Sequence, residues 1–303
     1  MEKISKKQLD DFYQITNKIT AIGYYNSFCN DVKSGKIKLD GSNHLLTLVD
    51  KYVLKPGKNN LFIKKINKNT IFYRARIARD EDIIESKGFR VNIQDGVVSG
   101  FDESNSREAP LGTRIPAGRN NIMGMSYLYL ADSIGTACVE VKPSFYDIIS
   151  VALFKNKRSL RIIDFSNINS DDLSDKDNDE RVKLSLLFSY IMSSFTIPVN
   201  DEDLYIIPQF LSDYIRKAGY DGIAYKSFYD KKGINYTIFN SHRSYFEYYN
   251  SEVYMMQSKD YHFLDINNNE IVSVESLIGK ETDEELYEQV IDRLNKMIIT
   301  KHK

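Results

Sequence analysis

Tryptophan is absent from this chain of 303 residues, and cysteine, histidine and proline are scarce, at 2, 4 and 6. Cys29 and Cys138 stand far apart, so no disulfide framework is implied. His44, His242, His262 and His302 share no ligand spacing with the cysteines or with each other, which argues against structural zinc and against a histidine-held catalytic zinc. Neither sign of charge is in excess: Lys plus Arg is 41, Asp plus Glu is 42, and the formal net charge is −1. Neutralising a polyanion needs surplus Lys and Arg, so nucleic acid is a poor partner. Long apolar runs are missing as well. The start, Met1-Glu2-Lys3-Ile4-Ser5-Lys6-Lys7, lacks the core of a signal peptide. The stretch from Leu184 to Val199 is short and serine-bearing, a buried helix and not a membrane span. These absences predict a reduced, cytoplasmic protein without a membrane partner. Phosphate-loop chemistry is disfavoured too. There is no Gly-x-Gly-x-x-Gly, Gly279-Lys280-Glu281-Thr282 lacks the upstream glycine of a Walker loop, and Gly-x-Ser-x-Gly does not occur. Cys138 with His242 as nucleophile and base is no more than residue counts allow by chance, since cysteine is so often simply buried.

Tyrosine and phenylalanine are abundant, at 21 and 16, within a hydrophobic fraction of 42%. A chain of this length forms about two domains, or one large domain with appendages. It buries about three quarters of its unfolded surface, which excludes disorder throughout. Apolar residues at helical spacing over 6–34 and again near 43–54 predict a helical N-terminal accessory region, 1–66. A β-like run follows at Thr70–Ile77. Between Asp80 and Ala117 periodicity is weak, a length that marks a functional or disordered segment. Ser126–Leu130 reads as a strand, followed by a helix capped by Asp132 or Ser133 and ended by Pro143. Ile148–Phe154 and Leu160–Phe165 read as strands. Helices are expected near 181–195 and over 207–218, the latter with Pro208 in its first turn and Gly219 as its stop. Tyr220–Lys226, Ile234–Phe239 and 251–270 read as β, and Asp283–Ile299 as an amphipathic helix capped by Thr282. Strands and helices do not alternate strictly, so the class is α+β.

The most informative stretch is Gly118-Arg119-Asn120-Asn121, Ser126-Tyr127-Leu128-Tyr129-Leu130-Ala131 and Thr136-Ala137-Cys138-Val139-Glu140-Val141-Lys142-Pro143. Upstream stand Tyr73-Arg74-Ala75-Arg76 and Phe101-Asp102-Glu103-Ser104-Asn105-Ser106. Downstream stand Tyr205-x-x-Pro208-Gln209, Gly219-Tyr220-Asp221-Gly222-Ile223-x-Tyr225-x-Ser227 and Asn235-Tyr236-x-Ile238-Phe239. In this order the blocks resemble the RES domain, named for its Arg, Glu and Ser, over about residues 67–245. Residues 246–303 form a C-terminal α/β extension outside the resemblance. Lys142 stands where many relatives carry Arg.

The resemblance implies a split, mixed β-sheet with flanking helices, like the diphtheria-toxin type of ADP-ribosyltransferase. It implies cleavage of NAD by hydrolysis or phosphorolysis, in a bacterial toxin restrained by an antitoxin, often as a homodimer. NAD would be substrate, with no metal and no prosthetic group. Breaking the nicotinamide–ribose bond builds positive charge on the ribose, which a carboxylate stabilises. Glu140 takes that role by its place in the motif, although a helix end disfavours a carboxylate. Arg74 and Arg119 would engage the phosphates, since a guanidinium grips them bidentately. Tyr129 would flank the nicotinamide, Ser227 would orient the ribose, and Tyr73 and Asn235 would add contacts. Two further readings stand beside this one: transfer of ADP-ribose to a macromolecule, and a catalytically silent NAD-binding module.

Overall fold

The computed structural model describes residues 6–39, 42–57, 60–79, 90–92, 97–107, 115–145, 147–167, 179–198, 205–256, 260–265 and 270–275. The helices are α1 (Lys6–Lys33), α2 (His44–Leu48), which runs on as a π-helical turn (Val49–Leu54), α3 (Glu103–Arg107), α4 (Ile134–Glu140), α5 (Asp179–Thr196) and α6 (Ile206–Lys217). The strands are β1 (Ile63–Ile66), β2 (Ile71–Ala78), β3 (Arg90–Asn92), β4 (Val97–Ser99), β5 (Leu128–Ala131), β6 (Ile148–Asn156), β7 (Leu160–Asp164), β8 (Gly222–Lys226), β9 (Ile234–Ile238), β10 (Phe246–Met255), β11 (Asp260–Asp265) and β12 (Glu270–Glu275).

Eight strands form one sheet in the order β1-β7-β8-β9-β5-β2-β6-β10. Only β7 and β8 run parallel, so the sheet is mixed and the class is α+β. Two small hairpins, β3–β4 and β11–β12, stand outside it. The sheet has a weak seam. β2 pairs with β6 along its whole length and β5 with β9 along its whole length, but β2 and β5 share a single register, Tyr73 with Ala131. Side chains alternate between the faces of a strand, and the two faces are covered differently. On one face, α1, α2, α5 and α6 pack over Ile163, Ile223 and Tyr225, while α4 packs beside them on Ala131, Ile149 and Val151. On the other face, Phe72, Leu128, Phe154, Ile162, Tyr236 and Phe246 form one cluster. There α3 lies over β2 and β6, with the Arg107 guanidinium 5.1 Å from the Phe154 ring.

Part of the N-terminal region packs into the main core. Phe28 and Val32 of α1 lie in the same apolar cluster as Leu187, Phe188 and Leu211, and β1 is the edge strand of the main sheet. An amphipathic helix needs a surface to bury against, and the β7–β8 half of the sheet supplies it. The β1 strand and α3 were not expected from the pattern, because each is only four or five residues long. The expected helix Asp283–Ile299 lies outside the described residues.

Local chemistry sets the ends of α4. The Ser133 side chain accepts from the Thr136 amide at 3.0 Å, which settles the cap in favour of Ser133 over Asp132. Past its end Lys142 adopts φ of 52°, a left-handed stop usually left to glycine, and Pro143 follows. Gly219, at φ of 85°, ends α6 in the same way.

Candidate active site

A cavity of about 280 Å³ opens at the seam. Its lining draws on both faces of the sheet: Tyr73, Ala75, Tyr129, Tyr225 and Asn235 from one, Arg74, Leu130 and Tyr236 from the other, with Ala137, Glu140 and Val141 of α4. Residues of both faces meet in one space because β2 and β5 part beyond Tyr73 and Ala131.

Glu140 is the last residue of α4 and the one carboxylate among these lining residues. Its Oε1 accepts from Ser227 Oγ at 2.5 Å and from Asn235 Nδ2 at 2.7 Å, and among the described residues no donor reaches Oε2. Two donors on one oxygen offset the helix dipole, which opposes a negative charge at this end. Ser227 is itself fixed, since its Oγ accepts from the amides of Tyr229 and Asp230, each at 3.1 Å. The same turn locks α4 from a second side. Thr136 Oγ1 donates to Asp230 Oδ2 at 2.7 Å, and a Cβ at Gly233 would lie 2.5 Å from Thr136 Oγ1, so only glycine lets the turn approach. The Thr136 bond, with the Lys232 and Gly233 amides, holds the Asp230 carboxyl below its ordinary value.

Arg74 lines the cavity from β2, and its Nη1 donates to the Ser106 carbonyl at 2.8 Å and to the Arg107 carbonyl, the last carbonyls of α3. Burial first, and Arg76 next, lower its pKa to about 10, so it stays charged at neutral pH. Arg76 donates to the Asn105 carbonyl at 3.1 Å and lies over the Phe101 ring. Arg107 is buried, paired with Glu103 at 2.8 Å and bonded to the Ser241 and Phe246 carbonyls.

The Tyr129 hydroxyl donates to Asn121 Oδ1 at 2.6 Å and accepts from the Asn120 amide at 3.1 Å. Asn120 Nδ2 reaches Thr237 Oγ1 at 2.6 Å and the Tyr225 hydroxyl at 3.4 Å. Burial raises the pKa of Tyr129 and Tyr225, and raises that of Tyr236 to about 12. All three phenols are therefore neutral at physiological pH.

Of the residues singled out from sequence, the cavity brings together Tyr73, Arg74, Tyr129, Glu140 and Asn235. Ser227 is outside the lining, and its Oγ donates to the Glu140 carboxylate. Arg119 is also placed elsewhere. Its Nη1 donates to the Phe195 carbonyl and to the Thr196 carbonyl at 2.6 Å, so it caps the C-terminal end of α5, where a cation suits the dipole. Tyr225 was missed as a lining residue. The signal was period 2: it stands on β8 two residues before Ser227, which lies just past the strand's end. Cys138 is no activated nucleophile, because burial raises its thiol pKa. Among the described residues, no three His, Cys, Asp or Glu side chains gather as a metal site, and no helix is long and apolar enough to cross a membrane.

With this geometry in view, the sequence pattern of the RES domain matches residues 97–263, more than half of the chain. The chain belongs to the RES domain family. The match begins after β2, inside the expected 67–245, and ends within β11, beyond it. Arg119, Tyr129, Glu140, Ser227 and Asn235 fall inside it. Tyr73 and Arg74 lie upstream, yet β2 is an inner strand of the sheet, so the folded unit is larger than the RES match. No curated protein matches the chain.

Proposed function

We propose that this RES domain protein cleaves the bond between nicotinamide and ribose in NAD, with water or inorganic phosphate as acceptor. The observation that carries the reading is Glu140. One oxygen is fixed by Ser227 and Asn235, and the residue lines a cavity walled by tyrosines and one arginine. A preorganised carboxylate beside a developing ribosyl cation stabilises charge that exists only in the transition state. The C1′–N bond breaks and its electron pair leaves with nicotinamide, which becomes neutral. An oxygen of the acceptor then bonds to C1′, and when water is the acceptor its proton passes to Glu140 or to solvent.

The cavity volume supports the same assignment. About 280 Å³ is near the lower limit of roughly 300 Å³ for ligand pockets, enough for one end of a dinucleotide and not the whole. Tyrosine faces suit a flat, cationic pyridinium ring. Arg74, held by α3, supplies a fixed positive charge for a phosphate. The seam between β2 and β5 supports the likeness to a split ADP-ribosyltransferase sheet. In the cell we infer a toxin that depletes NAD and is restrained by an antitoxin.

The test is to incubate pure protein with NAD, with and without phosphate, and to follow nicotinamide and the ribosyl product. Free ADP-ribose denotes hydrolysis, ADP-ribose 1″-phosphate denotes phosphorolysis, and label retained on a macromolecule denotes transfer. No nicotinamide in any arm overturns the reading.

A further inference from the structure

The segment Gly118–Asn121 touches the site without lining it, and two of its contacts converge on one atom, the Tyr129 hydroxyl. Asn121 is buried, and its Nδ2 donates to the Pro116 carbonyl at 3.0 Å and the Ile122 carbonyl at 3.1 Å. Those two bonds fix the amide's orientation, since only nitrogen can donate. Its Oδ1 is therefore the acceptor, and the Tyr129 hydroxyl is the donor. The hydroxyl's one proton is thus used, and the Asn120 amide occupies a lone pair. Gly118 closes the third side: a Cβ there would lie 2.9 Å from the Tyr129 oxygen and 2.5 Å from Asn121 Oδ1. The segment is itself anchored in the helical layer, by Gln209 Nε2 on the Gly118 carbonyl at 2.8 Å and by Arg119 on the end of α5.

We propose that Asn121 is a positioning residue for Tyr129, and that Tyr129 meets the nicotinamide with its ring alone, its hydroxyl being spent on the Gly118–Asn121 cradle. This rests on the NAD-cleaving reading above. The rival is a hydroxyl that bonds directly to ribose or carboxamide. The two differ in additivity. If the hydroxyl acts only through the cradle, removing the hydroxyl and removing Asn121 undo the same thing. If it touches substrate, the losses multiply.

The experiment is a cycle of Tyr129→Phe, Asn121→Ala and the double variant, with KM and kcat for NAD measured well below each melting temperature. Each single change is expected to raise KM by about 3–10-fold with kcat little altered, the signature of misplaced ground-state binding. The double variant should match the worse single, and Tyr129→Ala, which removes the ring, should lose far more. A double effect equal to the product of the singles, or an unchanged KM in Asn121→Ala, overturns the proposal. A wild-type protein that releases no nicotinamide would instead remove the NAD reading. The cradle is then read from melting temperatures, where non-additive losses support it and additive losses overturn it.

Discussion

A carboxylate at the C-terminal end of a helix faces the negative pole of the dipole, and Glu140 is kept there by neighbours outside its own helix. Ser227 and Asn235 both donate to Oε1. A hydrogen bond to a charged group is worth about 1.5–3 kcal/mol, or about 10–100-fold in rate when it is felt in the transition state. Ser227→Ala and Asn235→Ala should each lower kcat by about that factor while KM for NAD moves little; a rise in KM alone would show direct ribose contact instead. The motif made Glu140, Arg74, Tyr129 and Asn235 legible, because each is a residue type with obvious chemistry in an ordered block. It could not show that Ser227 bonds the Glu140 carboxylate from outside the lining or that Arg119 turns to α5, since both depend on the side chain's direction in three dimensions.

The helix α4 delivers Glu140, and its footing is the turn between β8 and β9. Thr136 Oγ1 to Asp230 Oδ2 is the central bond of that footing. The Asp230 carboxyl is depressed below its ordinary 3.8 in the folded protein, so its contribution is fully present above that value and is lost as pH falls through the folded value. Melting temperature measured from pH 6 to pH 2 should fall more steeply in the wild type than in Asp230→Asn, the two curves approaching each other only below about pH 4. Parallel curves would remove Asp230 from the account. At this scale the pattern was readable for α4 with its Ser133 cap, for α6 with Gly219 and for the longer strands, where periodicity and caps agree. It was unreadable for β1 and α3, which are too short to show a period and owe their form to partners far along the chain: β7 for β1, and Arg74 and Arg76 for α3.

One eight-stranded sheet carries the described helices, all but α3 on one face, and the candidate site opens at its seam. The accessory region expected from the sequence belongs to the same core, because α1 buries Phe28 against Phe210 and the α5 helix. Phe28→Ala should therefore cost about 3–5 kcal/mol in urea unfolding, as a truncated core phenylalanine does, and should shift a single transition. Two separate transitions, with the second unmoved, would restore an independent N-terminal unit. The near-zero net charge also takes its place here. On the proposed NAD reading, a small dinucleotide needs local positive charge, which Arg74 would supply inside the cavity, and no basic excess over the surface.

The most direct measurement is nicotinamide release from NAD by the wild type and by Glu140→Gln, both verified as folded by their melting curves. The wild type should release nicotinamide, and the variant, with the same shape and no charge, should be slower by at least about 10²–10³-fold. Equal rates in the two proteins would contradict the assignment of Glu140, and with it the account of the site.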